Sequence, residues 1–269
     1  RSAASFEFLA GIQAELGRIG LPVCVDCLDR SDNLPDRLAF WFDRFIDSVI
    51  IYQPNAAFDS SIFPASWRAA DPVDAPLRHV ILVGSGIRSL TPPPGALVDR
   101  FIADERLAMR QAVDRLDVAG RKRIAFIGEP PLSRSADALR ASFVQIAGDR
   151  TSSDIQFQTD LNPRALDIIR QTFALTAGQR PDAAVCSDAI RADALVQLLA
   201  GLGLCAGEDV SIISMSSADG FGTSRGVWSL RPPIAQWISD IKRAVATRAA
   251  DGRLTGIETL TPMLLSGSQ

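Results

Sequence analysis

Six apolar runs in this chain end on polar side chains that could hold a small molecule: Tyr52, Ser85 after Gly84, Asp104, Glu129 after Gly128, the pair Ser187-Asp188, and Ser216-Ser217. Hydroxyls and carboxylates converging from an otherwise apolar wall are the usual make-up of a small-molecule site. Two of them have a competing duty. Asp104 and Asp188 stand directly before helical segments, where a carboxylate accepts backbone N–H bonds and favours the helix dipole. Covalent chemistry finds less support. His79 is the single histidine and has no partner visible in the sequence. No G-x-S-x-G, Walker or HExxH motif is present. Gly84-Ser85-Gly86-Ile87-Arg88-Ser89 follows an apolar strand but lacks the third glycine of a dinucleotide fingerprint. Pro92, Pro93 and Pro94 also prevent the helix such a fingerprint needs. The chain reads as a binding protein rather than an enzyme, with no cofactor.

Cys24 and Cys27 form a CxxC inside the strand pattern Leu21–Leu28. Residues three apart on a strand point to opposite faces, so the two cannot chelate together unless the strand breaks. With one histidine and no second CxxC, zinc is not expected. Cys24, Cys27, Cys186 and Cys205 are read as buried free thiols of a cytoplasmic protein. The formal net charge of -3 gives no phosphate-binding surface, so any contact with DNA belongs to another segment. No stretch has transmembrane length.

Elements that could position the strand ends alternate along the chain. Phe8, Ile12, Leu16 and Ile19 recur at helical spacing over residues 5–19, with Leu9 widening the stripe. A strand is expected at Val23–Leu28, a helix at about 34–46 and a strand at Ser48–Tyr52. A short or irregular helical stretch follows near 60–70, then a strand at His79–Val83. The loop Thr91–Gly95 precedes a brief strand near Phe101–Ala103 and a helix over about 105–118. Further strands fall at Arg123–Gly128, near Ile155–Thr159, at Ala183–Cys186 and at Val210–Met215. Helices are expected over 136–147, 163–177, 189–200 and 233–250. Strands and helices in this alternation make parallel β-α-β units, whose ligands bind at the carboxyl ends of the strands.

The order of motifs resembles the effector-binding region of LacI-type transcriptional regulators. The match runs through Pro181-Asp182-Ala183, Ser187-Asp188, Ala192, Leu198, Gly203, Glu208-Asp209 and Ser211. Upstream it takes in Asp104, Ala108, Ala112, Leu116, Gly120 and Arg123–Ile127. Downstream it takes in Trp228–Pro233 and the closing Leu260–Leu265. It is clearest over residues 100–269 and collinear but looser over 5–90.

The resemblance implies an α/β, two-lobed, periplasmic-binding-protein-like type I fold. Each lobe would be a parallel sheet flanked by helices, and three crossovers would join them. The N-terminal lobe would hold residues 1–119 and 232–256, and the C-terminal lobe 120–231 and 257–269. A small-molecule effector, a carbohydrate in many relatives, would sit in the cleft, and the protein would be a homodimer. Operator DNA would be read by a helix-turn-helix domain expected upstream of residue 1, together with the family's first strand. The dimer face would include the helix over 192–200 and the segment 220–225, although the stripe Ala192, Leu195 and Leu199 fits that helix's core face equally well. An exported sugar-binding protein of a transport system is the alternative.

Expected ligand contacts are Phe6, Tyr52, Ser85, Asp104, Glu129, Arg140, Ser187, Asp188, Ser216 and Phe221, with Ser187 at the family's cleft-facing Asn or Ser. Phe6, Phe221 and Trp228 could stack on a ring. Two departures matter. Ser216 stands where the family often has an acidic residue for sugar hydroxyls. Leu139 stands at an expected arginine, with Arg140 one helix step of about 100° away. Both changes remove charge-assisted bonds to a polar ligand, so a less hydroxylated or more apolar effector gains ground beside a sugar or sugar derivative.

Overall fold

A computed structural model describes residues 3–25, 33–44, 46, 48–53, 60–69, 78–84, 91–130, 134–151, 156–158, 160–215, 226–251 and 256–267. In chain order the helices are α1 (Ala3–Arg18), α2 (Leu34–Phe42), α3 (Ala65–Arg68), α4 (Glu105–Val118), α5 (Arg134–Ala147), α6 (Pro163–Phe173), α7 (Ala189–Gly201) and α8 (Ile234–Asp251). The strands are β1 (Ser48–Gln53), β2 (Arg78–Gly84), β3 (Ala96–Ala103), β4 (Ile124–Gly128), β5 (Gln156–Gln158), β6 (Ala183–Cys186), β7 (Ser211–Ser214), β8 (Val227–Arg231), β9 (Glu258–Thr261) and β10 (Leu264–Gly267). They fall into two compact units, one of Ser5–Ala103 and Pro233–Thr261, the other of Asp104–Pro232 and Pro262–Gln269. The chain passes from one to the other three times, as the expected fold class requires.

The first unit is a parallel sheet in the order β1-β2-β3-β9. Alternate strand residues face opposite sides. Val80, Leu82, Val98 and Ile102 face one side and bury against Leu38 of α2, Trp67 of α3 and Phe63 just before α3. The other side carries Ile81, Val83 and Phe101, and the helices α1 and α8 complete it. Phe8 of α1 stacks on Tyr52 of β1. Glu15 of α1 pairs with Lys242 of α8 at 2.8 Å.

The second unit has the order β10-β8-β7-β6-β4-β5, parallel except for the antiparallel β10-β8 pair. Ala125, Ile127, Ala184, Cys186 and Ile212 pack under Phe173 of α6 and Ala192, Leu195 and Leu199 of α7. The opposite face includes Phe126, stacked on Phe143 of α5 at 5.1 Å. Thus β4 leads through α5 to β5 on one side of it, whereas β6 leads through α7 to β7 on the other. The connections diverge between β4 and β6, which makes that pair the topological switch point of the sheet.

Several expectations need correction. Residues 21–25 form no regular element, so the strand expected at Val23–Leu28 is absent over 23–25, and 26–28 lie outside the described residues. The brief strand near Phe101 is instead the eight-residue β3. Its Asp99, ahead of the expected start, is fully buried. The lobe boundaries shift as well. α4 belongs to the second unit, so that division falls after Ala103 rather than 119. β9 pairs with β3, so the last passage follows Thr261 rather than 256. Strands β8, β9 and β10 were not anticipated. Two of the four thiols read as buried, Cys24 and Cys205, are exposed; Cys186 is buried and Cys27 lies outside the described residues.

His79 does have partners, drawn from two other strands. Its Nε2 lies 2.8 Å from Asp99 Oδ2 and its Nδ1 3.0 Å from Ser48 Oγ. Arg248 of α8 donates to the same Ser48 oxygen at 3.0 Å, and Asp99 Oδ1 accepts the Ile257 N–H at 2.8 Å. An oxygen that accepts from Arg248 can spend its own hydrogen on Nδ1, which leaves the Nε2 proton for Asp99. Ser, His and Asp in contact suggest a nucleophile relay by residue type alone. Here His79 and Asp99 are wholly buried and Ser48 opens its strand, at the end opposite to where ligands bind. The array ties β1, β2, β3, α8 and the entry to β9. That entry is tight, since a Cβ on Gly256 would lie 2.1 Å from the Val98 carbonyl oxygen. His79→Ala is expected to cost about 3–5 kcal/mol, as breaking one side of a buried pair does. The double variant with Asp99→Ala should cost less than the sum of the singles in urea denaturation. Additive losses would show that the two residues are not coupled.

Candidate functional site

At the switch point, register places Ile127, Cys186 and Ser214 side by side. The residues that follow leave the sheet together. The Ser187 N–H donates to the Ile127 carbonyl at 2.9 Å and extends the pairing by one residue. Asp188 then turns the chain into α7. Its backbone is extended (φ -154°, ψ 171°), and its Oδ1 accepts the Arg191 N–H at 2.9 Å. This is the capping role that sequence assigns it. The Ser187 hydroxyl donates to Asp188 Oδ2 at 2.9 Å.

Arg191 completes the group. Its guanidinium pairs with Asp188 Oδ2, and its Nη1 stands 4.0 Å from Glu129 Oε1 across the switch point. The Arg191 side chain is only 10% exposed and Asp188 15%, whereas Glu129 is 51% exposed. A buried cation is tolerated where it is paired, and Asp188 supplies that pairing. Glu129 remains the carboxylate that solvent, or a ligand, can reach. Beneath them, burial and the charge of Asp188 push the Cys186 thiol far above its ordinary range, with Arg191 opposing. That thiol is therefore unreactive. Leu161, just ahead of the Asn162 cap of α6, holds φ 63°, a left-handed conformation uncommon outside glycine.

The other expected contacts separate. Asp104 caps α4, its Oδ1 accepting the Leu107 N–H at 3.0 Å. Tyr52 gives its ring to the core of the first unit, 4.2 Å from Phe8 and 6.5 Å edge-on from Trp237. Phe6 does not join them. It lies two residues, about 200°, around α1 from the buried Phe8 and is 60% exposed. Arg140 is exposed on α5 and makes no ion pair with Glu129 or Asp188. Trp228 is covered by the Arg115 guanidinium at 4.2 Å. Ser85, Ser216 and Phe221 lie outside the described residues. Sequence reasoning missed Arg191, although an arginine three residues after a capping aspartate in an apolar helix was a visible signal. Among the described residues no cluster of three His, Cys, Asp or Glu could hold a metal ion, and no helix is long and apolar enough to cross a membrane.

Two α/β units joined by three passages, with polar groups gathered at a switch point, are the architecture to be compared with known proteins. The family model described as a periplasmic binding protein-like domain matches residues 113–253, over half of the chain, and the chain belongs to that family. Among solved structures it resembles a regulatory protein of the LacI family from Chloroflexus aggregans at 16% identity and a TM-score of 0.73, covering 98% of this chain and 91% of that one. It also resembles a lac repressor dimer bound to operator and the anti-inducer ONPF (16%, TM-score 0.69, 97% and 87% covered). A periplasmic binding protein/LacI transcriptional regulator from Alkaliphilus metalliredigens complexed with D-xylulofuranose matches at 15% and 0.64, with 97% and 91% covered. No curated protein sequence matches the chain.

Two aspartates that cap their helices through the same side-chain bond should differ in cost. Asp104→Ala is expected to lose about 1 kcal/mol, the worth of a cap. Asp188→Ala should lose roughly 3 kcal/mol, because it also strands the Arg191 guanidinium. Equal losses in urea denaturation would remove the ion pair from the account. Iodoacetamide should modify Cys24 and Cys205 in the native protein and spare Cys186 until unfolding. Native modification of Cys186 would contradict its burial.

Proposed function

We propose that this chain is the effector-binding and dimerisation region of a LacI-type transcriptional regulator, sensing a small molecule at the carboxyl ends of its strands. The observation that carries the reading is the Glu129, Ser187, Asp188 and Arg191 group at the switch point. A half-exposed carboxylate accepts hydroxyl protons, a serine hydroxyl donates or accepts, and a paired guanidinium fixes the geometry of both. Hydroxyl-rich molecules suit such a set, so a sugar or sugar derivative is the effector class. D-xylulofuranose in one structural relative supports that choice. The protein is read as a cytoplasmic homodimer rather than an enzyme, reaching operator DNA through an upstream segment. The effector would act by binding one conformation of the domain better than another, since only differential affinity shifts an equilibrium.

A thermal-shift screen of D-ribose, D-xylulose, D-glucose, D-galactose and xylitol tests the reading. A sugar at a hundredfold excess over its Kd stabilises the native state by about 2.7 kcal/mol and raises the melting temperature by a few degrees. Glu129→Gln and Ser187→Ala should each weaken that sugar about tenfold in calorimetric titration. A blank across the panel would sink the sugar reading. A sugar-binding chain that sediments as a monomer would favour the exported solute-binding protein.

A further inference from the structure

We infer that the switch-point group selects its effector by charge, with Glu129 receiving a protonated amine, so that an amino sugar is taken in preference to the neutral sugar and the phosphorylated one is refused. The inference rests on the reading of this group as the effector site, and it deepens that reading by choosing among sugar derivatives.

Glu129, Ser187, Asp188 and Arg191 all belong to the second unit, so their arrangement is internal to one compact body. They differ in what they have left to offer. Asp188 is saturated. One of its oxygens accepts the Arg191 N–H, and the other accepts both the Ser187 hydroxyl and the Arg191 guanidinium. The Arg191 side chain, 10% exposed, is closed in with it. Glu129 is the opposite case. Its side chain is 51% exposed, and among the described residues its one ionic contact is Arg191 Nη1 at 4.0 Å, beyond hydrogen-bond reach. None of them donates a hydrogen bond to its carboxylate.

The charges do not cancel. Two carboxylates face one guanidinium, and that guanidinium is already matched by Asp188. Arg140 does not restore the balance, since it pairs with neither acid. The group therefore carries one negative charge in excess, on the member that solvent reaches. A carboxylate only accepts, so whatever meets Glu129 must donate. A hydroxyl brings one donor and no charge. An ammonium brings three donors and the opposite charge, and charge on both partners makes the stronger bond. Glu129 is half-exposed, so the ammonium keeps part of its hydration and escapes the desolvation that penalises buried pairs. A phosphate or carboxylate on the effector would meet like charge at the same place and be repelled. The exposure that admits the amine also sets the size of the preference, about fivefold over the parent hydroxyl sugar, as exposed ion pairs allow.

The test is calorimetric titration of the full chain, at low salt and just below neutral pH, where a sugar amine is protonated. Matched probes are D-glucose with D-glucosamine, D-galactose with D-galactosamine, and the phosphate monoesters of glucose and galactose. In the pair that binds, the amino sugar should be about fivefold tighter, and the monoester should not bind. Added salt should bring the pair towards parity. Glu129→Gln keeps the volume and removes the charge, and in that variant the two members should bind alike. Its free-state melting temperature should match the wild type, so that parity reports recognition rather than folding. An amino sugar no tighter than its parent, or a monoester as tight as the parent, overturns the inference and leaves the sugar reading standing. A preference that survives Glu129→Gln also overturns it, because the amine is then read elsewhere. If no member of either pair binds, the sugar reading falls and this inference falls with it.

Discussion

A parallel sheet has to be covered on both faces, and most of what distinguishes this protein follows from that constraint. The strands of β2 and β4 are buried along nearly their whole length, so they leave no room for polar side chains except at their ends. Helices must lie on both sides, so the chain in the second unit has to reverse its direction of travel across the sheet. The reversal opens the gap between β4 and β6. Chemistry is thereby confined to strand ends, and the end beside that gap collects Glu129, Ser187, Asp188 and Arg191.

Within that group, one side chain serves two purposes at once. Asp188 satisfies the first turn of α7 with one oxygen and neutralises Arg191 with the other, while the Ser187 hydroxyl adds a further bond. Sharing of this kind makes the group rigid. It also leaves Glu129 as the adaptable member, exposed and only loosely engaged with the arginine. A ligand that competes for Glu129 therefore meets a framework already fixed by folding rather than one it must order itself.

Local pattern revealed what depends on local pattern. The apolar runs at 79–83, 123–128, 183–186 and 210–215 were legible as strands, and Asp104 and Asp188 as caps, because burial and capping act over a few residues. What escaped was settled by distant partners. Asp99 carried no signal of its own, because its partner His79 stands twenty residues earlier. Ser48 and Arg248 lie too far apart in sequence for any motif to join them. Tyr52 was recognisable as a strand-end residue, but which face its ring takes depends on Phe8 and Trp237, contributed by α1 and α8. The ends of the units were misplaced for the same reason, since only pairing with β3 assigns β9 to the first unit.

Helix α8 gives the first unit a mechanical character. Its 18 residues span about 27 Å, and it is held near three points along that length. Trp237 sits against Tyr52 at one end, Lys242 grips Glu15 in the middle, and Arg248 binds Ser48 near the other. A helix is stiff along its axis. A displacement of its first turn therefore travels as a rod's would, arriving at Ser48 and the buried His79 and Asp99 without being absorbed on the way.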